Sequence, residues 1–351
     1  MSKSVKLADI AQKLGVSTVT VSKALSGQKG VSEEMREKIV TLAGEMGYRS
    51  LSSIKNKKGS NAGYNIAVLI HEKYFDKYDS LYLKIYQYIT QHAISNGCFS
   101  IMEIVTQEAE SVCELPMVAR QKKADGIILI GKFSKEYTDF LSKSLGVIPH
   151  LFLDYCDTRQ NFDVIISDSY YGAYALTNYL FEMGHSKIAY VGSLLSTGSI
   201  TDRYLGYTKA LMEHGIEVKK DWIIKDRDEN NMGRLIAPED FVLPKTMPTA
   251  FVCNCDLTAS ALIKRLEDEG YNIPEDISVV GYDNYIYPGL CDVEITTYEV
   301  DTKEMARCAV ETIYKKISGE NSLSCKTKYS SRETTSRGER LPLSGKRSSI
   351  K

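Results

Sequence analysis

Residues 7–25 run Leu7-Ala8-Asp9-Ile10-Ala11-Gln12-Lys13-Leu14-Gly15-Val16-Ser17-Thr18-Val19-Thr20-Val21-Ser22-Lys23-Ala24-Leu25. Apolar residues recur at Leu7, Ile10, Ala11 and Leu14, the i, i+3, i+4, i+7 spacing of one buried helical face. Gly15 follows the last of them, where a helix end favours a residue that tolerates positive φ. Val16 can bury in the turn, and Ser17 can accept from the unpaired N–H groups at the start of a second helix. Val21, Ala24 and Leu25 give that helix a small inward face and leave Thr18, Val19, Ser22 and Lys23 outward. Two short helices joined by a Gly-containing turn make a helix-turn-helix, the unit whose second helix enters the major groove of DNA.

The charge around this stretch points the same way. Up to residue 60, eleven basic residues stand against five acidic ones, a surplus of six in a chain whose formal total is −1. A basic head on an acidic body is the electrostatic footprint of a nucleic-acid-binding module, although a solvated basic surface has the same composition. The 351 residues leave room for two or three domains. Met1-Ser2-Lys3-Ser4-Val5-Lys6 contains no apolar export signal, and no later apolar run reaches the length of a membrane span. A cytoplasmic protein with no membrane partner is therefore expected. The eight cysteines are scattered without CxxC pairs and read as reduced thiols, so neither a metal site nor a cofactor is expected.

A third helix is expected after Val31-Ser32, with Ser32 as its cap, Glu33 and Glu34 at its positive end, and Met35, Ile39, Leu42 and Met46 along one face before Gly47. Residues 50–63 form a Ser-, Lys- and Gly-containing connector that reads as flexible. From Tyr64 the pattern changes. Apolar strands at 66–70, 99–105, 125–130, 150–153, 164–166, 188–192, 250–253 and 277–281 alternate with amphipathic helices, of which 81–95 is the clearest. This order predicts an α/β fold with parallel sheets in two lobes, whose ligands bind beyond the carboxyl ends of the strands. The expected division is a head at 1–49, a connector at 50–63, a two-lobed body at 64–325 and a polar tail at 326–351. Lobe 1 is expected at about 64–163 and 294–320, and lobe 2 at about 164–293 with part of the tail, which offers at most one short strand.

Leu7-Ala8-Asp9-Ile10-Ala11, Gly15-Val16-Ser17, Thr20-Val21-Ser22, Val31-Ser32 and Gly47-Tyr48 closely resemble the head of the lactose- and purine-repressor (LacI/GalR) family. The body follows in family order with Lys123-Ala124-Asp125-Gly126-Ile127-Ile128, Gly184-His185-Ser186-Lys187-Ile188-Ala189, Arg203 before Gly206-Tyr207, Val280-Gly281-Tyr282-Asp283-Asn284 and Thr296-Thr297. The resemblance spans roughly residues 5–320. It implies a three-helix head, a two-lobed effector domain like a periplasmic binding protein, a homodimer or higher oligomer, and effector-controlled binding to a palindromic operator in double-stranded DNA.

The same resemblance implies the site residues. Thr18, Val19 and Lys23 would reach base edges, and Ser17, Thr20, Ser22 and Ser26 would contact phosphates. In the connector, relatives carry Pro-Asn after the Tyr and a Leu that wedges into the minor groove. Here Ser50 and Leu51 replace Pro-Asn, Ile54 replaces an Ala, and Lys57 stands at the Leu position, where it can follow a narrow groove but cannot wedge between bases. Leu51, Ile54 and Lys57 are the connector's DNA candidates. The effector candidates are Arg203, Asp256 and Asp283, with Asp168, Tyr74 and Phe75 as further lining. A guanidinium fork beside carboxylates suits a neutral polyol or sugar better than a nucleobase. Plainer roles fit several of these residues: helix solvation in the head, an ion pair for Arg203, a cap for Asp283, core packing for Tyr74 and Phe75. Cys255 separates Asn254 from Asp256, where relatives show Asn-Asp directly.

The function expected is a sequence-specific DNA-binding transcription regulator, a repressor whose operator affinity is set by a small effector, a sugar, held between the lobes. Two alternatives are a sugar-binding protein without gene control and a sugar-modifying enzyme with an appended DNA-binding head. The basic head counts against the first. Against the second, no GxGxxG, GxxxxGK[ST] or GxSxG motif occurs, and no residue is read as catalytic.

Overall fold

Three helices build the head: α1 (Leu7–Leu14), α2 (Thr18–Leu25) and α3 (Glu33–Glu45). The computed structural model describes residues 7–25, 30–45, 63–75, 80–156, 162–285, 293–320 and 327–330. Ile10, Ala11, Val21, Ala24, Leu25, Ile39 and Ala43 are buried together as the core of the head, with Leu7, Leu14, Val16, Met35 and Leu42 at its margin. The turn forms as its residues dictate. Gly15 takes φ +65°, and Val16 N donates back to Ala11 O at 3.1 Å. At the far end of α2, Arg36 of α3 donates to Ala24 O at 2.9 Å, which satisfies a carbonyl the helix itself leaves unpaired. Met46 and Gly47 lie outside the described residues.

The body alternates strands and helices. Its first lobe contains β1 (Asn65–His71), α4 (Leu81–Ser95), β2 (Phe99–Val105), β3 (Gly126–Ile130), α5 (Lys135–Ser144), β4 (His150–Leu153) and β5 (Asp163–Ser167). The second contains α6 (Ser169–Glu182), β6 (Ile188–Val191), α7 (Gly198–Glu213), β7 (Ile223–Ile224), a short hairpin of β8 (Arg227–Asp228) and β9 (Arg234–Leu235), then β10 (Ala250–Cys253), α8 (Asp256–Asp268), β11 (Ser278–Asp283) and β12 (Thr296–Glu299). The chain then returns to the first lobe through α9 (Thr302–Ser318) and β13 (Thr327–Ser330). The first sheet has the order β13-β5-β4-β3-β1-β2 and the second β12-β11-β10-β6-β7, with every pairing in both parallel.

Strands covered on both faces need unbroken apolar runs, and β1 shows how one run serves two cores. Ile66, Val68 and Ile70 point into a core that also receives Ile85 and Ile89 of α4 and Ile313 of α9. Ala67 and Leu69, one step out of phase, point into a second core with Tyr137 and Leu141 of α5. A third core covers the other face of the second sheet with Leu262 and Leu266 of α8 and Phe251 of β10.

The strand pairings correct the lobe boundaries expected from the sequence. Val164 to Ile166, read as the start of lobe 2, belong to β5, which pairs with β4 in the first sheet. Thr296 and Thr297, read within lobe 1, belong to β12 and pair with β11 in the second. The tail strand β13 lies beside β5 in the first lobe, not in the second. The physical reason is that consecutive strands joined by a short connection pair with each other, and it is the following helix that carries the chain across. Apolar content marks a strand but not its partner. Each crossing between lobes ends in an aspartate that caps the next helix. Asp168 (φ −80°, ψ 75°) accepts from Tyr171 N at 3.0 Å, and Asp301 (φ −74°, ψ 73°) accepts from Glu304 N at 3.0 Å.

Helices α6 and α7 pack along each other with Gly206 at the contact. A Cβ there would lie 2.1 Å from the backbone oxygen of Tyr170. Gly206→Ala is therefore expected to force the helices apart and cost about 1–3 kcal/mol, read as a lower denaturation midpoint for the body. An unchanged midpoint would show that the helices separate without loss.

Candidate functional sites

Two places gather the residues singled out by the sequence: the outward face of α2 and the region between the lobes. On α2, Thr18, Val19, Ser22 and Lys23 are exposed, Val19 at 59%. Ser17 Oγ accepts from Thr20 N at 3.0 Å and lies 2.8 Å from Thr20 Oγ1, so both residues help to start the helix. Ser26, Leu51, Ile54 and Lys57 lie outside the described residues.

Between the lobes, side chains converge from the carboxyl ends of strands, where an open parallel sheet leaves its crevice. Arg203, in the second turn of α7, is 6% exposed. Its guanidinium lies over the Tyr282 ring at 3.7 Å from the centroid, donates to Asn254 O and pairs with Asp283 Oδ1 at 3.3 Å. Its Nε is buried without a hydrogen-bond partner. Asp283 ends β11, and Asp256 opens α8, accepting from Tyr285 N at 2.9 Å. From the first lobe, Asp154 follows β4, accepts from Tyr82 Oη at 2.8 Å, and acts electrostatically on both Arg203 and Asp283. Lys132, just after β3, reaches across to donate to Ser196 O at 2.6 Å.

A second buried pair lies alongside. Asp226 is fully buried and accepts from Ser193 N (2.7 Å), Asn254 Nδ2 (2.6 Å) and Thr258 Oγ1 (2.8 Å), while Arg227 Nε stands 3.1 Å away. Arg227 also approaches Asn254 Oδ1 and Cys255 Sγ, each at 3.5 Å.

The two pairs behave differently. Burial works against the charge of Asp226, but Arg227 and the hydrogen bonds from Thr258, Asn254 and Ser193 outweigh it and hold the carboxyl below its usual range. Burial also works against Arg203, yet Asp283 and its other anionic neighbours keep it firmly charged. The reverse does not hold, because one guanidinium serves several carboxylates. Burial pushes Asp283 up to about 7 against the pull of Arg203, and burial together with Asp283 pushes Asp256 up to about 8. Asp154 is likewise raised by burial.

Of the sequence candidates, Arg203, Asp256 and Asp283 come together. Asp168 does not join them: its carboxylate caps α6 and its backbone oxygen accepts from Tyr282 Oη at 3.2 Å. Tyr74 lies against the cleft but is tied down, its hydroxyl accepting from Lys132 N at 2.8 Å and its ring edge-on to Tyr82 at 4.7 Å. Phe75 packs at the margin of the core. Asp154, Tyr82, Lys132, Asp226 and Arg227 were not anticipated. For Asp154 and Lys132 a signal existed, since each stands just past the last apolar residue of a strand. Among the described residues no group of side chains is arranged to hold a metal ion, and no helix is long and apolar enough to cross a membrane.

Residues 6–50 match the bacterial regulatory proteins of the lacI family, and residues 177–335 match the periplasmic binding protein-like domain. The chain belongs to the lacI family of regulatory proteins. It is a DNA-binding transcription regulator, with the family's helix-turn-helix ahead of two parallel-sheet lobes. Among its relatives, the HTH-type transcriptional repressor PurR of Mannheimia succiniciproducens is 26% identical over 320 residues, spanning 88% of this chain and 91% of the relative. The protein of the same name from Vibrio atlanticus is 28% identical over 310 residues, again spanning 88% and 91%. Among solved structures, a complex of the transcriptional regulator CelR with cellobiose superposes with a TM-score of 0.62 at 20% identity, covering 93% of this chain and 96% of that one. A lac repressor dimer bound to operator and the anti-inducer ONPF gives 0.57 at 23% identity, covering 91% and 94%. At these identities the structures speak for the fold.

The raised carboxyls set a pH dependence whose sign follows from linkage. An unfolded Asp releases its proton near pH 4, whereas folded Asp256 and Asp283 keep theirs to about 8 and 7, so the folded chain holds more protons in between and loses stability as pH rises through that window. Asp256→Asn keeps an acceptor for Tyr285 N and removes one titration. It should match the parent near pH 5, melt higher near pH 8 and show the shallower decline of midpoint with pH; parallel curves for the two chains would refute the assignment.

Proposed function

We propose that this chain is a repressor that binds a palindromic operator as a homodimer, in the cytoplasm, and that a small molecule of the sugar class held between the lobes controls its operator affinity. The observation that carries the second half is the buried Arg203. A guanidinium taken out of water, with an unpaired Nε and carboxylates on both sides of the cleft, offers donors and acceptors together, which is what a ring of hydroxyl groups requires. The same fold in a cellobiose complex is consistent with this chemistry.

In the head, Lys23 donates to guanine O6 or N7, and Val19 and the Thr18 methyl pack on thymine methyl groups. Ser17, Thr20, Ser22 and Ser26 meet phosphates and set register. Leu51, Ile54 and Lys57 follow the backbone or the minor groove between the two heads. Control is a population shift. The effector binds one lobe arrangement more tightly, that arrangement changes the spacing of the paired heads, and half-sites about one helical turn (~34 Å) apart register the difference. The reading assigns no bond-making step, cofactor or catalytic residue to the chain.

An operator selected from a random duplex pool allows both halves to be tested by fluorescence anisotropy at fixed salt. Lys23→Ala should lose about 1–3 kcal/mol on the selected site and discriminate less well against single-base variants; unchanged discrimination would remove Lys23 from the base-reading set. Arg203→Lys, which keeps the charge but not the fork, should bind the operator normally and respond to no sugar that shifts the parent. A variant that still responds would take Arg203 out of the effector site.

A further inference from the structure

The cleft is not electrically uniform from end to end. Around Arg203 carboxylates are in excess: Asp154, Asp256 and Asp283 surround one guanidinium. The end next to Tyr74 is different. Lys73 Nζ sits 5.1 Å from the Tyr74 ring centroid, the Tyr74 hydroxyl accepts from Lys132 N, and the charges of Asp154, of Arg227 in the opposite lobe and of Glu110 all act on that same hydroxyl. Lys73 and Lys132 are each half-buried, repel one another, and hold pKa values lowered first by burial. Lys132 is bound to a neutral backbone oxygen, Ser196 O, and not to a carboxylate. The anions nearby are already engaged: Glu110 with His71, Ser134 N and the charge of Lys73, and Asp226 with Arg227 and its hydrogen bonds. Ser196 also lies at the start of the 16-residue helix α7, whose positive dipole end opens at this point. A half-buried ammonium group held only by a neutral backbone oxygen, a guanidinium and a helix N-terminus make a place for a negative charge.

We propose that the effector is a polyhydroxylated molecule bearing an anionic group, a phosphate or a carboxylate, with its hydroxyls at Arg203, Asp283 and Asp154 and its anion at Lys132 and Arg227. The inference rests on the reading of the cleft as a sugar-class site and narrows it. Binding moves Lys132 from Ser196 O to the anion, so the group that bridges the two lobes also reads the ligand. Arg227 is fixed in place by buried Asp226, which makes its fork rigid on the second-lobe side.

The test is calorimetric titration of the full chain with neutral hexoses and disaccharides, their monophosphates and the corresponding uronates. The monophosphates and uronates arms separate the two sources of charge. At least one anionic member should bind about tenfold or more tightly than its neutral parent. That preference should weaken with added salt and fall toward unity in Lys132→Met. Removing Arg227 would strand the buried Asp226, so its partner variant is Arg227→Lys, which keeps a cation there and loses the fork; it should reduce the preference while melting like the parent without ligand. Neutral and anionic members binding alike, or a preference that survives Lys132→Met, overturns the proposal and leaves the sugar-class reading standing. Binding of no member at all overturns that reading too.

Discussion

The Arg203 guanidinium is taken out of water at the seam between the lobes, and much of the cleft follows from the cost of doing so. A buried charge persists only where partners replace its hydration. Here the replacements are the face of Tyr282, the backbone oxygen of Asn254 and the carboxylate of Asp283, and they come from the ends of β10 and β11. The arrangement is lopsided, since more carboxylates than cations are buried around it, and the surplus is expressed as protons retained toward neutral pH. Asp226 and Arg227, one carboxylate with one guanidinium and three further hydrogen-bond donors, show the balanced alternative.

Backbone conformation concentrates at the same places. Asp154 (φ 59°), Asp283 (φ 105°) and Asn284 (φ 50°) all adopt the left-handed region without being glycine, and each is the last residue of a strand that faces the cleft or the residue just after it. Such conformations cost of order 1–3 kcal/mol each and persist where the surroundings over-determine them. The parallel sheets supply that determination. Strand register fixes where β4 and β11 end, and the backbone turns sharply at Asp154, the residue after β4, and at Asp283, the last residue of β11, to present their carboxylates.

What the sequence made legible divides along physical lines. Helix α2 and its cap were readable because the signal is local: a glycine, a serine and three inward apolar residues within one stretch. The strands were readable as apolar runs, and Arg203, Asp256 and Asp283 through their neighbouring motifs. The assignment of β5 and β12 to their sheets was not readable, since pairing is settled by which edge is open and not by composition. Lys132, Asp154 and Arg227 escaped for a related reason. Lys132 and Asp154 carry only the weak signal of standing past a strand's last apolar residue, Arg227 at the start of β8 carries none, and their meaning appears only once the opposite lobe is in place. Asp168 shows the converse error, a carboxylate at the right end of a strand whose local geometry commits it to a helix cap.

The two capping aspartates at the crossings have a mechanical consequence. Asp168 and Asp301 bend the chain through nearly the same φ and ψ, and each is followed at once by a rigid helix anchored in the lobe it enters. Two such pivots define an axis, as a pair of pins does for a door. Relative motion of the lobes about that axis changes few dihedral angles, whereas sliding or stretching would break the caps. A change of angle between the lobes falls on the φ and ψ of Asp168 and Asp301, with each following helix carried along as a rigid arm.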